Sequence, residues 1–245
     1  MTVICAVNAA GTYVAPMLIF KRQRMSQLLM AGTPAGSVGY ASASGWVNSE
    51  LFIKWLEHFI AFAKRSKDEK VILIIDGHAS HKTLEAVDMC RDSAVVLVCL
   101  LPHTMHRMQP LDKTIYGPLK ISYNNECDRW MLHNPGQRIT MYQQGALFGA
   151  ASIKTATMQK AVSGFKSTGL WPLNPEVFCD EDFLPSQITD EPEPESTGNL
   201  VVSDKSSDTA AAATTAAAVD TVNVTDPDHS SDKTVAKQLN YPQKD

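Results

Sequence analysis

Acidic and histidine side chains follow two apolar runs of the chain, at the points where those runs end. The first run, residues 71–75, is followed by Asp76, His78 and His81. The second run, residues 95–101, is followed by His103, His106, Gln109 and Asp112. Runs this rich in Val, Ile and Leu are typical of strands that are covered on both faces. Because sites in open α/β sheets form beyond the carboxyl ends of strands, we expect these side chains to share one sheet edge.

Asp76 and Asp112 have the chemistry to bind a divalent cation. A carboxylate at the end of a buried strand is costly unless it binds a metal or caps a backbone group. Mg²⁺ prefers oxygen ligands and keeps several waters, so two or three carboxylates suffice for a two-metal phosphoryl-transfer site. The structural alternative is that Asp76 satisfies a turn while Asp112 is the N-cap of a helix.

The histidines form two HxxH pairs, His78 with His81 and His103 with His106. Imidazole nitrogens suit zinc, so a zinc-dependent hydrolase is a competing interpretation. The predicted loops lack the HExxH helix and its general-base Glu, which favours histidines that flank carboxylates or contact a substrate phosphate. The chain carries no Walker-type glycine loop, no GxGxxG after a strand and no GxSxG, so nucleotide binding and α/β-hydrolase chemistry are not indicated.

The elements that must position these residues predict an α/β fold. Residues 3–7 and 13–20 indicate an antiparallel hairpin, and residues 31–45 indicate a loop. Apolar residues at helical spacing predict a helix that begins at Asn48 and packs on the sheet. The two apolar runs, joined by a helix over residues 82–92, predict a parallel βαβ unit. Further helices are predicted over residues 112–132 and 140–165.

Composition divides the 245 residues into a body and a tail. Residues 186–245 contain 4 Lys and 11 acidic residues and show no periodic apolar pattern, which predicts disorder. The remainder, residues 1–185, has a net charge of +3 and permits a polyanionic partner. The scattered cysteines lack a CxxC pair, and Cys5 and Cys99 are predicted to be buried free thiols in a reducing compartment. No secretion signal or membrane span is indicated.

Basic residues are candidate contacts to nucleic-acid phosphates. Lys21, Arg22 and Arg24 form a cluster after the second predicted strand, and Lys120 follows the apolar residues of YGPLK. The alternative for the cluster is a solvated loop without a ligand.

Several motifs carry a family resemblance that extends over roughly residues 1–190 in the family's order. They are VNAAGTYVAPMLIFKRQRM, SGWVNSELFIKWLEHF, IIDGHASH, LPHTMHRMQPLD, YGPLK and GFKSTGLWPLNPEVFCDEDFLPS. With them the chain resembles the DDE superfamily endonuclease domain of pogo and Tigger-like transposases, which include jerky-like proteins and centromere protein B. The resemblance implies a ribonuclease-H-like mixed sheet flanked by helices, with an acidic triad that binds magnesium or manganese.

In this comparison Asp76 matches the second acid of the triad and Asp112 the third. The flanking or substrate-contacting residues implied by it are His78, His81, His106 and Gln109. The family's first acid lies on a strand that precedes VICAVNAAG, and it has no counterpart here. We therefore expect an N-terminally truncated fold that lacks its first strand, between the hairpin and the strand of Asp76, with exposed apolar edges on both neighbours.

These observations predict a transposon-derived DDE endonuclease domain over residues 1–185, followed by a disordered tail. Its chemistry is related to metal-dependent DNA cleavage and strand transfer, but with two carboxylates we expect weakened metal binding and no cleavage by this chain alone. The expected partner is DNA, the expected location is the nucleus, no membrane is expected, and a homodimer is an open option. The alternatives are a non-catalytic domesticated module that binds DNA or protein and, third, the zinc-dependent hydrolase.

Overall fold

The computed structural model describes residues 1–63, 70–76, 81–100, 104–179, 182 and 215–223. For residues 105, 106 and 215–223 it describes the backbone alone. The strands are β1 (Thr2–Asn8), β2 (Tyr13–Lys21), β3 (Val38–Ser42), β4 (Val71–Ile75), β5 (Val95–Cys99) and β6 (Thr215–Asn223). The α-helices are α1 (Ser49–Ala63), α2 (Leu84–Asp92), α3 (Met105–Met108), α4 (Pro110–Thr114), α5 (Tyr116–His133), α6 (Met141–Thr155) and α7 (Met158–Ser167).

The predicted hairpin is confirmed, since β1 and β2 pair in antiparallel register. Its turn is closed by Asn8, whose Oδ1 accepts a hydrogen bond from the Thr12 backbone N–H at 2.8 Å, and by Gly11, whose φ is +90°. Pro16 lies opposite a register shift between Ile4 and Ala6 of β1. A strand tolerates proline at such an irregularity because no ladder hydrogen bond is lost there.

The strands form one sheet in the order β3-β2-β1-β6-β4-β5. The βαβ prediction is confirmed, because β4 and β5 are parallel and α2 connects them. All strands except β1 run in the same direction, so the carboxyl ends of β2, β4 and β6 lie at the same end of the sheet. The predicted loop over residues 31–45 is corrected in one part, since β3 pairs with β2 as an edge strand.

β6 lies at the centre of this sheet, antiparallel to β1 and parallel to β4. Two sequence-based expectations are therefore corrected: residues 215–223 form a strand, and the position between the hairpin and the Asp76 strand is filled. The physical reason is that β1 and β4 are largely buried, and unpaired backbone groups at their facing edges would be costly. The other residues of the predicted tail lie outside the described residues.

Helices cover the two faces of the sheet, and each face has its own apolar core. On one face α1 and α2 pack on the sheet, and the core contains Ile4, Met17, Phe52, Trp55, Leu56, Phe59 and Leu73. The predicted packing of α1 on the sheet through its apolar residues is thus confirmed. On the other face α5, α6 and α7 surround a core that contains Val3, Leu18, Phe20, Tyr123, Phe148 and Phe165.

The segment predicted as one helix over residues 112–132 is divided at Ile115 into α4 and α5. Pro118 lies in the first turn of α5, where its missing N–H leaves no hydrogen bond unmade. The N-cap of α1 is confirmed by a 2.9 Å hydrogen bond from the Leu51 backbone N–H to Asn48 Oδ1. The two helices predicted over residues 140–165 correspond to α6 and α7.

β5 differs from the expectation of burial on both faces. It is an edge strand in which Val96 and Val98 are 43% and 40% exposed, and Cys99 is also exposed. Cys5 is only partly buried. The apolar run therefore predicted the strand correctly but not its burial, because a strand at the sheet edge is only partly covered by other elements.

Glu126 joins α5 to α6, and its titration gives a pH-dependent prediction. Its carboxylate accepts a hydrogen bond from Lys154 Nζ, which is the main reason its pKa lies below the ordinary value of 4.5. A carboxyl whose pKa is lowered by folding stabilises the fold above its unfolded-state pKa, and this contribution is lost as pH falls through the folded-state pKa. We expect Glu126→Gln to lower the free energy of unfolding by about 1 kcal/mol at neutral pH.

Urea denaturation over a pH series measures this effect. The difference between wild type and Glu126→Gln should shrink as pH falls below 4.5, the ordinary pKa of the group. Glu50→Gln is the matched control, because Glu50 is exposed and pairs with Lys54 on α1, so little change in stability is expected. A wild type–variant difference that stays constant through the acid range would contradict the role of Glu126.

Candidate functional site

Asp76 follows β4 directly and is 8% exposed. Its Oδ1 lies 2.5 Å from Nδ1 of His81, a residue that is buried as well. An ionised carboxylate can only accept, so His81 donates its Nδ1–H to Asp76 in this pair. The imidazole of His81 packs on the ring of Phe52 with a centroid distance of 4.2 Å, which ties the pair to α1. The orientation of the Asp76 carboxylate is thereby fixed.

Asp112 lies in the first turn of α4 and is exposed. The N-cap of this helix is Gln109, which is fully buried, so the alternative that Asp112 is an N-cap is wrong. α4 contacts β6, the strand that pairs with β4. The structure therefore places Asp112 on a short helix that contacts the central strand β6, an element separate from that of Asp76.

The side chains of the other three candidate histidines are not described by the structure. His78 and His103 lie outside the described residues, and for His106 only the backbone in α3 is described. Among the side chains that the structure describes, no group of three or more His, Cys, Asp and Glu residues could hold a metal ion. The zinc-dependent hydrolase remains a prediction that these positions leave untested.

Three of the four basic candidates lie at the end of the sheet that carries Asp76, and the fourth lies on α5. Lys21 is the last residue of β2, and Arg22 and Arg24 follow it. Arg22 is held in place, with its guanidinium 5.8 Å from the centroid of the Tyr142 ring on α6, whereas Lys21 and Arg24 are exposed. Lys120 is exposed on α5. Lys21, Arg24 and Lys120 are thus accessible to a ligand, and a phosphate contact stays a prediction.

A contact that sequence reasoning missed holds α3 in place beside the site. Arg107 Nη1 lies 3.1 Å from Asp182 Oδ1. The backbone N–H of Cys179 donates to Asp182 and, as the largest cause, holds the pKa of Asp182 below its ordinary value. No local sequence signal could pair the two residues, because they are far apart in the chain and neither belongs to an amphipathic pattern.

Comparison of the sequence with known protein families identifies the family of this chain. The sequence model described as DDE superfamily endonuclease matches residues 1–167, which include both candidate acids. The chain belongs to the DDE superfamily endonuclease family. Endonucleases of this family use divalent metal ions and act on nucleic acid, which agrees with carboxylates at a strand end.

One curated relative is similar over much of the chain. It is described as MFS-type transporter clz9 from Cochliobolus lunatus, and it is 31% identical over 179 residues. The match covers 72% of this chain but only 19% of that protein, so this chain corresponds to a minor part of the relative's length. No helix in the described part of the chain is long and apolar enough to cross a membrane. No solved structure matches.

The donor chemistry of this DDE endonuclease chain fits a hard divalent cation. Asp76 and Asp112 supply carboxylate oxygens, which are the ligands that Mg²⁺ and Mn²⁺ prefer. His81 donates a hydrogen bond to Asp76 and is not itself one of these carboxylate ligands, as is common for residues that orient metal ligands. The residues that would hold the metal are therefore Asp76 and Asp112, with His81 as a positioning residue.

Proposed function

We propose that this chain is a DNA-binding DDE endonuclease domain that holds magnesium or manganese between Asp76 and Asp112. The observation that carries the proposal is the buried Asp76 at the end of β4, oriented by His81 at 2.5 Å, in a chain of this family. Burial of this carboxylate is costly, and its hydrogen bond with His81 offsets part of that cost. A divalent cation at the same edge would stabilise the ionised carboxylate further.

The chain's own residues hold the site in place for phosphodiester chemistry. When bound, divalent cations would activate the attacking water or hydroxyl and stabilise the leaving oxygen. His81 holds the Asp76 carboxylate, and Phe52 holds the His81 ring, so little reorganisation is needed on binding. The second carboxylate, Asp112, is supplied by a separate element, the helix α4. Two carboxylates hold a pair of cations less well than three, so without a further ligand we expect binding but not efficient cleavage.

We also propose the finer assignments that accompany this function. The fold is of the ribonuclease-H-like type, supported by a central antiparallel pair, β1 with β6, and a parallel pair, β4 with β5. The subfamily is that of pogo, Tigger and jerky-like transposases, supported by the motifs around Asp76 and Asp112. The location that we propose with this subfamily is the nucleus, as expected for a DNA-binding protein of that kind.

DNA binding tests this proposal through its salt dependence. Affinity for duplex DNA should fall steeply with salt, because cationic side chains release counterions from the phosphates. The double variant Lys21→Ala/Arg24→Ala removes two exposed charges near the carboxyl end of β2, and we expect the slope of log affinity against log salt to become shallower by about two. Fluorescence anisotropy with a labelled duplex measures both quantities.

The matched control is the double variant Lys54→Ala/Arg91→Ala, which removes the same charge from α1 and α2. Both residues form exposed ion pairs, Lys54 with Glu50 and Arg91 with Asp88, so the fold should tolerate their loss. This control should keep the wild-type slope. An affinity that does not change between low and moderate salt would show that phosphate contacts are not the basis of binding.

A further inference from the structure

β5 is the last strand of the sheet, and no strand in the described part of the chain pairs with its outer edge. The carbonyl of Ala94, just before β5, accepts a hydrogen bond from the backbone N–H of Val71 in β4. Backbone groups of successive strand residues point alternately to the two sides of the strand. The N–H and C=O groups of Val95, Leu97 and Cys99 therefore point to the outer edge, where another extended segment can pair with them.

A groove between α2 and β5 lies beside this edge and has a volume of about 350 Å³. Its apolar lining includes Val87, Val95 and Leu97, and its charged lining residues are Lys82 and Arg91. Lys82 precedes α2 at the carboxyl end of β4, whereas Arg91 lies in the last turn of α2, close to the start of β5. The groove is thus apolar along its length, with one cation near each end.

The opposite face of β5 is apolar as well. Val96 and Val98 point away from the groove, and both are exposed. A segment that pairs with β5 would therefore lie beside apolar surface on both of its faces. Such a position favours a continuous run of aliphatic residues rather than an alternation of apolar and polar residues.

The chain between Asp182 and Thr215 connects the two ends of β5. Asp182 forms an ion pair with α3, the helix that follows the carboxyl end of β5. Thr215 pairs with Val71, the first residue of β4, and Val71 pairs in turn with Val95, the first residue of β5. The chain from Asp182 to Thr215 therefore leads from the carboxyl end of β5 to its amino end, which is the direction of a strand antiparallel to β5.

Within this connection, residues 200–202 have the sequence Leu-Val-Val, the only run of consecutive Leu, Ile and Val residues there. Valine favours strands. Acidic residues lie on both sides of the run, Glu195 before it and Asp204 after it. In a strand antiparallel to β5, Asp204 would lie towards Arg91 and Glu195 towards Lys82. The twelve residues 203–214 can span up to about 40 Å, which is ample to reach the start of β6.

We propose that residues 200–202 pair in antiparallel orientation with the outer edge of β5 and add a seventh strand to the sheet. The pairing satisfies the backbone groups at this edge and covers apolar surface of β5 and α2. A second copy of the chain suits the edge less well, because antiparallel pairing of two β5 strands would bring Lys82 of each copy towards Arg91 of the other. The pairing uses none of the candidate metal ligands, so it does not depend on the proposed function.

Hydrogen exchange of the full chain, resolved by residue with nuclear magnetic resonance, tests this pairing. The amide groups of Val96 and Val98 point to β4, so they report the protection that β5 has without the proposed strand. The amide groups of Leu97 and Cys99 point to the outer edge. We expect them to be protected in wild type to a similar degree, whereas amides on an uncovered edge would exchange at rates close to those of an unstructured chain.

A variant with three glycines removes the aliphatic run and its preference for strands without a change of charge. This variant is Leu200→Gly/Val201→Gly/Val202→Gly, and we expect the amides of Leu97 and Cys99 to exchange at least about tenfold faster in it than in wild type. The matched control places three glycines in the polar part of the same connection and should keep the wild-type rates; it is Ser206→Gly/Ser207→Gly/Thr209→Gly.

The possible results decide for or against the strand at residues 200–202. Protection of Leu97 and Cys99 that is lost in the variant of residues 200–202 and kept in the control supports it. Rapid exchange of both amides in wild type would show an open edge and overturn the inference. Protection that persists in the variant of residues 200–202 would also overturn it, because another segment would then cover the edge; if that protection decreases on dilution, the occupant is a second copy of the chain.

Discussion

Asp76→Asn is expected to weaken Mn²⁺ binding by about a hundredfold and to remove any metal-dependent nicking of DNA by this chain. The buried carboxylate combines a place at the end of β4 with a fixed orientation from His81. Asparagine keeps the shape of the side chain but removes the charge and one of the two carboxylate oxygens that coordinate a cation. Calorimetric titration with Mn²⁺ measures the loss.

The control for Asp76→Asn must show that the fold survives. Far-ultraviolet circular dichroism and the urea midpoint should stay close to those of wild type, because His81 can still hydrogen-bond to the asparagine amide oxygen. Asp92→Asn at the exposed end of α2 serves as the matched charge change and should bind Mn²⁺ as wild type does. Equal Mn²⁺ affinities for Asp76→Asn and wild type would remove Asp76 from the site.

Gly149→Ala is expected to be the most destabilising small substitution in the helical layer, with a loss of about 3 kcal/mol in the free energy of unfolding. Gly149 lies on α6, where an added Cβ would overlap the backbone carbonyl of Gly32. Gly145, one helical turn earlier, meets the carbonyl of Leu29 in the same way. Backbone cannot yield as a flexible side chain can, so α6 must move away from the segment that leads into β3.

Gly117→Ala is the matched control on α5. No atom lies within 4 Å of the Cβ that this substitution adds, so it should be neutral or stabilise by up to about 1 kcal/mol through helix propensity. Urea denaturation of both variants and of wild type separates the destabilisation caused by steric overlap from the stabilisation caused by lower backbone entropy of the unfolded chain. A Gly149→Ala protein as stable as Gly117→Ala would show that α6 does not pack closely on the backbone near Gly32.

Local patterns in the sequence predicted much of the fold. The hairpin turn at Asn8, the capped helix α1 and the βαβ unit each depend on residues within about 25 positions, where spacing and turn chemistry decide the structure. The contact between Asp76 and His81 could be expected for the same reason, since five positions separate them.

The rest of the fold depends on contacts between distant parts of the chain. β6 contains three consecutive alanines, which favour strands weakly, and its partners β1 and β4 lie far away in the sequence. The unpaired edges of those strands, rather than any local preference, place it at the centre of the sheet. β3 contains a glycine and lies in a segment predicted as a loop, so it was missed. It forms because its backbone pairs with β2 at the sheet edge.

The candidate site likewise has one part that local sequence predicts and one part that depends on distant contacts. The carboxyl end of β4 could be located from the apolar run before Asp76, because such runs end where strands end. The place of Asp112 on a separate helix that contacts β6 could not, because it depends on a break at Ile115 and on a strand from the C-terminal part of the chain.

Iron-mediated cleavage of the polypeptide tests most directly whether Asp76 and Asp112 hold one common metal site. Fe²⁺ bound in place of Mg²⁺ reduces added hydrogen peroxide to hydroxide and a hydroxyl radical, which cuts the backbone close to the metal, and mass spectrometry locates the cuts. The predicted result is cuts near both Asp76 and Asp112 in wild type, suppressed by excess Mg²⁺ and absent from both segments in Asp76→Asn. Cuts confined to one of the two segments, or cuts that persist near Asp112 in Asp76→Asn, would contradict a shared site.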